Sequence, residues 1–218
     1  MPETVAIVDY GSGNLRSAEK AFTRAASEVG LPTNIMVTSD ADTVRRADRI
    51  VLPGVGAFGD CIDGLSDIDG MVDALTEAVI TRGNPFFGIC VGMHLMAEKG
   101  FEHGVHSGLA WLAGSVKPLE TTDKTLKIPH MGWNTIELTE AGCQHPVARV
   151  LAADDHTYFV HSYQMVLEEA QALLGFTDHG GPVTAIVGRD NMVGTQFHPE
   201  KSQTVGLKLI SSFLEWQP

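Results

Sequence analysis

Phe86-Phe87-Gly88-Ile89-Cys90-Val91-Gly92-Met93 is the stretch that decides the fold. Asn84-Pro85 turns the chain into an apolar run, Phe86 to Ile89, with the character of a buried strand. Val91 to Lys99 has the pattern of a helix. Between them Cys90 stands in a Gly-x-Cys-x-Gly frame. This is the strand-to-helix turn that presents a nucleophilic serine in other enzymes, with sulfur in place of oxygen. Small residues are required on either side, because side chains there would collide with neighbouring backbone. At a helix start the unpaired amides favour thiolate, the nucleophilic form. The amide of Val91 then points where an oxyanion would form. The plain alternative is a buried structural cysteine between two coincidental glycines.

Upstream, Thr4 to Asp9 predicts a strand, followed by the turn Tyr10-Gly11-Ser12-Gly13-Asn14. Leu15, Ala18, Phe22, Ala25, Ala26 and Val29 recur at helical spacing, and Gly30-Leu31-Pro32 ends that helix. Asn34 to Thr38 is a second strand. Ser39 or Asp40 caps a short helix toward Ala47. Arg49 to Leu52 is a third strand, ending in Pro53-Gly54-Val55-Gly56. Met71 to Ile80 is a helix that stops near Gly83. Strand, crossover helix and strand in repetition imply a mostly parallel sheet with helices on both faces. Past Gly104 the candidate strands are Ser115–Leu119, Lys124–Ile128, Asn134–Leu138, Thr157–Val160, Ala172–Phe176, Val183–Val187 and Met192–Gln196. Gly180-Gly181-Pro182 and Asp190-Asn191 mark turns among the later ones. Ser202 to Phe213 closes the chain as a helix. The expected fold is one α/β domain over residues 1–218. Its mostly parallel central sheet is flanked by helices, with antiparallel strands in the second half.

Composition narrows the function classes. With 15 Lys+Arg against 27 Asp+Glu over 218 residues, the formal net charge is −12. Such a chain has no general attraction for nucleic acid or an anionic membrane. A hydrophobic share of 44% argues against disorder. Three scattered cysteines, Cys61, Cys90 and Cys143, make no disulfide framework and suggest a reducing compartment. The start MPETVAIVDYG lacks the pattern of a signal peptide, and no apolar run approaches the ~18 residues of a membrane span. A cytoplasmic enzyme or binding domain is expected.

A thiolate needs a base. Among nine histidines, His198 in His198-Pro199-Glu200 stands out, because it follows a strand and opens the last helix. Residues two apart in extended backbone project to one side, and Pro199 biases His198 toward that conformation. Glu200 can therefore hold one ring nitrogen while the other faces Cys90. In isolation, His-Pro-Glu is simply a helix start with an acidic first turn. The glycines of Pro53-Gly54-Val55-Gly56 let backbone amides approach a ligand, which suits the second half of an oxyanion hole or an ordinary loop. Gly11-Ser12-Gly13 is half a dinucleotide fingerprint, but Arg16 occupies the third glycine position. His103 and His106 lack partners at zinc-ligand spacing. No cofactor and no metal are expected.

The elbow GICVGM (88–93) with the distant His198-Pro199-Glu200 resembles the class I glutamine amidotransferases, whose triad runs Cys-His-Glu in that chain order. The resemblance covers nearly the whole chain. IVDYGSGN (7–14), LPGVGAFGD (52–60), KIPHMGWN (127–134), YFVHSY (158–163) and GTQFHPEKS (194–202) are similar to one branch of that family. That branch comprises the glutaminase subunits of imidazole glycerol phosphate synthases. The resemblance implies catalytic roles for Cys90, His198 and Glu200, and oxyanion amides at Gly54, Val55 and Val91. It implies substrate contacts at Gly56, His94, His161, Ser162 and Tyr163. It implies an interface around Asn14, Lys127, Trp133, Tyr158 and Lys201 with a (β/α)8-barrel cyclase that receives the ammonia. The remaining readings are a glutaminase serving another synthase and a catalytically silent scaffold subunit. Similar proteins usually carry Gln at position 94. A histidine there either keeps glutamine binding while changing its affinity or its pH dependence, because imidazole ordinarily titrates near neutrality, or is a tolerated substitution.

Overall fold

The computed structural model describes residues 2–121 and 123–218. The chain enters through β1 (Glu3–Val8), α1 (Leu15–Glu28), β2 (Thr33–Thr38), α2 (Ala41–Arg46) and β3 (Arg49–Gly54). It continues through α3 (Phe58–Ser66), α4 (Met71–Thr76), a π-helical turn at Glu77–Thr81, β4 (Phe86–Cys90) and α5 (Val91–His94). Next come β5 (Ala97–Gly100), β6 (His106–Ser107), β7 (Leu112–Pro118), β8 (His130–Thr135), β9 (Glu137–Leu138) and α6 (Glu140–Gln144). The chain ends through β10 (His156–His161), β11 (Tyr163–Leu167), β12 (Leu173–Asp178), β13 (Pro182–Arg189), β14 (Met192–Thr195) and α7 (Gln203–Glu215).

An eight-stranded sheet, ordered β2-β1-β3-β4-β14-β13-β12-β9, is the spine. The pairs β1–β2, β1–β3, β3–β4 and β4–β14 are parallel, while β14–β13, β13–β12 and β12–β9 are antiparallel. The expected parallel sheet with a later antiparallel part is thus one continuous sheet. A four-stranded sheet (β11-β7-β5-β6) and the antiparallel pair β10–β8 stand apart from it. The strand order reverses between β1 and β3, so the loops after these strands diverge and leave a crevice at their carboxyl ends.

Strand β4 ties the layers together. Its side chains alternate, so Phe87 packs with Phe22 of α1 and Phe213 of α7 at ring separations of 6.2 and 5.2 Å. Phe86 meets Trp111 edge-on at 5.0 Å. The buried Arg49 reaches the end of α7, donating to the carbonyls of Phe213 (3.1 Å) and Trp216 (2.6 Å), and pairs with Glu3 at 3.0 Å. At α2, Asp40 is the cap: its carboxylate accepts from the Thr43 amide at 3.1 Å.

Two expected elements are corrected. The helix predicted over 91–99 is one turn long, Val91–His94. The carbonyls of Leu95, Met96 and Ala97 are taken by the amides of Leu109, Trp111, Leu112 and Ala110, so pairing with a later segment overrides the helical pattern. Lys124–Ile128 is not a strand. Asp123 captures the Thr125 amide and hydroxyl with its carboxylate, and its carbonyl takes the Leu126 amide, a local turn that competes with extended pairing. Strand β11 and helix α3 were not predicted, although Phe58, Cys61, Ile62 and Leu65 have helical spacing.

The two glycines of the elbow are demanded by packing. A Cβ on Gly92 would overlap the Leu52 carbonyl of β3, and one on Gly88 would lie 2.8 Å from the Gly92 carbonyl oxygen. Gly92→Ala should therefore cost about 2 kcal/mol or more. This would appear as a clear fall in the urea midpoint, and an unchanged midpoint would contradict the packing described.

Candidate active site

A cleft of about 320 Å³ opens beside the carboxyl ends of β3, β4 and β14, one strand along from the point where the order reverses. Val55 and Gly56 line it from the loop after β3, Cys90 from the end of β4, and Val91 and His94 from α5. His161, Ser162 and Tyr163 come from the β10–β11 turn, and His198 and Lys201 from the segment after β14. Every residue expected to touch substrate is therefore on one wall or another of a single cleft. Gly54 is not on the cleft surface, but pairs in register with Cys90.

Cys90 has φ 54° and ψ −110°, a conformation that L-residues rarely adopt. Such backbone costs of order 1–3 kcal/mol and persists only where packing imposes it. It swings the thiol out of the sheet at the head of α5. Helix α5 is a single turn, so no long helix stands behind the thiol.

His198 is buried, and its Nδ1 donates to Glu200 Oε1 at 2.8 Å. Both side chains are almost wholly enclosed, with exposures of 2% and 3%. With Nδ1–H committed, Nε2 is the nitrogen left for Cys90, and it has no hydrogen-bond partner among the described residues. Burial pulls the His198 pKa down, but the Cys90 and Glu200 side chains outweigh it and hold it at about 10. The raised value means that the protonated ring stabilises the fold fully below about pH 6.5, and that this contribution is lost as pH rises through about 10. The geometry provides a thiol, a base with one free nitrogen, and a carboxylate that fixes the base.

Three side chains that sequence reasoning missed, Ser202, Gln196 and Ser12, hold this arrangement. Ser202 Oγ donates to the His198 carbonyl (2.7 Å) and accepts from the Tyr158 amide (3.0 Å), while the His198 amide donates to the Tyr158 carbonyl (3.0 Å). Gln196, fully buried, joins His94 Nε2 at 2.7 Å and lies 3.8 Å from Cys90 Sγ. Ser12 Oγ accepts from the Val55 amide (3.0 Å) and donates to the Val55 carbonyl (2.5 Å). The Val55 N–H expected at an oxyanion is therefore occupied by Ser12 in this conformation. Beside Ser12, Cys61 Sγ lies 3.4 Å from Ser12 Oγ, and the Tyr10 hydroxyl donates to the Pro53 carbonyl at 2.8 Å. Burial pushes both the Tyr10 phenol and the Cys61 thiol up. Apart from Ser202 and His198, four residues apart, these partners lie 40 to 106 residues apart in the chain, so no local pattern couples them.

Two histidine expectations change. Burial takes His94 down to about 4, against a smaller upward pull from Gln196, so it is neutral between pH 6 and 8.5 and cannot supply a pH dependence there. His161 Nδ1 bonds the Tyr163 carbonyl at 2.9 Å, and its Nε2 lies 3.0 Å from His130 Nδ1. A carbonyl only accepts, so Nδ1 carries the proton and Nε2 accepts from His130. His161 thus has no ring nitrogen left for a substrate. It shapes the turn that carries Ser162 and Tyr163.

The expected interface residues divide. Trp133 is 48% exposed and meets Tyr158 edge-on at 5.8 Å across the β8–β10 pair. Lys201 Nζ lies 5.8 Å from the Tyr158 ring centre. Exposed Met131 and Ile128 adjoin this face. Lys127 is exposed, and its carbonyl accepts from His179 Nε2 at 3.0 Å. Asn14 caps α1 without a side-chain cap bond. Among the described residues, no group of three or more His, Cys, Asp or Glu could hold a metal ion, and no helix is long and apolar enough to cross a membrane.

Burial depresses His94, His130 and His145 to about 4 and His161 to about 3. Lowered values mean stability is complete above about pH 6.5 and drains away as pH falls toward 4. The thermal midpoint should drop over that interval. His94→Gln should remove part of the drop, roughly 3 kcal/mol at full titration. A midpoint flat from pH 6.5 to 4 would contradict the burial of these rings.

The family model for class-I glutamine amidotransferases matches residues 6–215. The chain is 56% identical over 217 residues to the imidazole glycerol phosphate synthase subunit HisH of Mesorhizobium japonicum, covering 98% of this chain and 99% of that protein. The protein of the same name from Rhodopseudomonas palustris is 56% identical over 218 residues, covering 99% and 100%. Among solved structures, a glutamine amidotransferase matches with TM-score 0.67 at 16% identity, over 97% of each chain. One from Thermotoga maritima matches with TM-score 0.64 at 15% identity, over 99% of this chain and 97% of that one. At such identities these two structures speak to the fold alone. The chain belongs to the class I glutamine amidotransferase family.

Proposed function

We propose that this chain is the glutaminase subunit of an imidazole glycerol phosphate synthase, acting in histidine biosynthesis as one domain over residues 1–218. The observation that carries the proposal is the buried Cys90 at its strained turn, opening on a cleft with His198 and Glu200 behind it. Cys90 Sγ attacks the side-chain carbonyl carbon of glutamine. The proton that the thiol gives up is held on His198 Nε2, as the ring's raised pKa of about 10 supports, and it leaves on the departing ammonia. Glu200 keeps the ring oriented and stabilises its charge. Amides of Val91 and of the Gly54–Val55 peptide serve the oxyanion. Water, activated by His198, then hydrolyses the thioester to glutamate. Gly56, His94, Ser162 and Tyr163 frame the amino-acid end of the substrate, with His161 holding their turn.

The ammonia passes to a (β/α)8-barrel cyclase in a heterodimer. There it reacts with the phosphorylated ribulosyl intermediate PRFAR to give imidazole glycerol phosphate and AICAR. The apolar face of Trp133 and Tyr158, with Lys201 beside the Tyr158 ring, is the docking surface, and the family resemblance adds Lys127 and Asn14 to it. The free thiols Cys61, Cys90 and Cys143 fit a cytoplasmic setting. A glutaminase that ran alone would waste glutamine. The Ser12 bonds to both polar groups of Val55 support a resting state in which the loop withholds its amide.

Two outcomes test this. In the complex, Cys90→Ser should abolish synthesis from glutamine but leave synthesis from ammonium salts intact, and equal loss of both would contradict the division of labour. Ser12→Ala removes both Ser12 bonds to Val55, each worth about 1 kcal/mol, and leaves only the long Cys61 Sγ contact to its carbonyl at 3.5 Å. Basal glutaminase activity of the isolated subunit should rise about fivefold or more. No rise would mean that Ser12 does not restrain the loop.

A further inference from the structure

The geometry points to Gln196 as a hydrogen-bond donor to the Cys90 thiolate, with His94 as the positioning residue that turns the amide the right way. This rests on the reading of Cys90 as the nucleophile and adds a second group acting on its sulfur. Gln196 is fully buried, so its amide must be satisfied by protein. Its Oε1 lies 2.7 Å from His94 Nε2, and its Nε2 lies 3.8 Å from Cys90 Sγ, within the longer reach of a bond to sulfur. Gln196 and His198 are two residues apart on the segment leaving β14, which bends at Gln196 and Phe197, and both side chains reach the Cys90 sulfur's surroundings. That segment therefore delivers two groups to Cys90. One removes the proton, and the other stabilises the charge left behind.

The direction of the amide is not free. Oε1 only accepts, so His94 must present Nε2–H to it. Burial keeps His94 neutral, with a pKa of about 4, so its ring carries a single proton, and placing it on Nε2 leaves the Gln196 NH2 facing sulfur. The opposite tautomer would flip the amide and set a carbonyl oxygen against the thiolate. At position 94 a Gln side chain also supplies an N–H, so His94 conserves the donor while changing the group. The other titratable groups around Cys90 are His198 backed by Glu200 on the β14 side, Tyr10 after β1 and Cys61 on α3. Glu102, His161 and Lys201 stand across the cleft.

The test is the pH profile of iodoacetamide alkylation at Cys90, followed by peptide mass spectrometry on the full chain. Gln196→Met, similar in size but without the donor, should move the midpoint up by about one pH unit, which slows alkylation at pH 7 about tenfold. The rate at high pH should stay native. His94→Leu should shift the midpoint in the same direction, and His94→Gln should restore it. The double variant His94→Leu/Gln196→Met should shift no further than Gln196→Met alone. A superimposable profile for Gln196→Met would overturn the proposal. So would a uniform slowing at every pH with an unmoved midpoint, which marks a packing role. Failure of the glutaminase reading shows separately, as full glutamine-dependent synthesis by Cys90→Ser.

Discussion

The carbonyl of Leu52 lies where a side chain on Gly92 would have to go. That close approach lets the turn after β4 settle onto the end of β3, and the rest of the site is arranged around it. With the backbone pinned on both sides, Cys90 is held at a positive φ that it would not adopt in a free chain. Strands β3, β4 and β14 run parallel and in register here, Gly54 beside Cys90 and Ile89 beside Thr195. Their carboxyl ends therefore deliver the glycine loop, the thiol, and the Gln196 and His198 side chains to one crevice. The two phenylalanines of β4, one packed against each face of the sheet, keep that strand from shifting.

Around this frame the histidines fall into two electrostatic classes. His198 is the ring whose charge the structure supports, because a carboxylate and a thiol outweigh its burial. His94, His130, His145 and His161 are kept neutral by burial, and three of them spend their ring nitrogens on internal bonds: His94 with Gln196, and His130 with His161. A neutral, hydrogen-bonded ring acts as a rigid spacer with a fixed donor and acceptor. The same logic governs Ser202 and Ser12, each of which uses one hydroxyl as both donor and acceptor. Ser202 joins the backbone of His198 to that of Tyr158, so the exposed aromatic face and the base share a hydrogen-bonded unit.

The meeting of Cys90, His198 and Glu200 was legible in the sequence because each sits in a short motif with its own local geometry. Gly-x-Cys-x-Gly specifies a turn, and His-Pro-Glu brings Glu200 to His198 as expected, although through a 3-10 turn at Pro199–Lys201 and not through extended backbone. The parallel half of the sheet was legible from apolar runs of strand length separated by helical periodicity. Long-range competition was not. Leu95, Met96 and Ala97 look like the second turn of a helix until the amides of residues 109–112 claim their carbonyls. The apolar positions of α3 were present, but Gly59 and Gly64 within it resemble a loop. Ser12 and Val55 are 43 residues apart, and Gln196 and Cys90 are 106 apart, so no local pattern couples them. The histidine at position 94 was visible as a departure from the family. Its titration was misjudged, because sequence does not reveal how completely a ring is enclosed.

In the proposed reaction Cys90 Sγ is the atom that takes the acyl group from glutamine. This role is tested most directly by treating the complex, with its acceptor ligand present, with a glutamine-analogue diazoketone and locating the adduct by mass spectrometry. One adduct on Cys90, with Cys61 and Cys143 unmodified and with protection by glutamine, is the expected result. An adduct on another residue, or none at Cys90 under those conditions, would contradict the account.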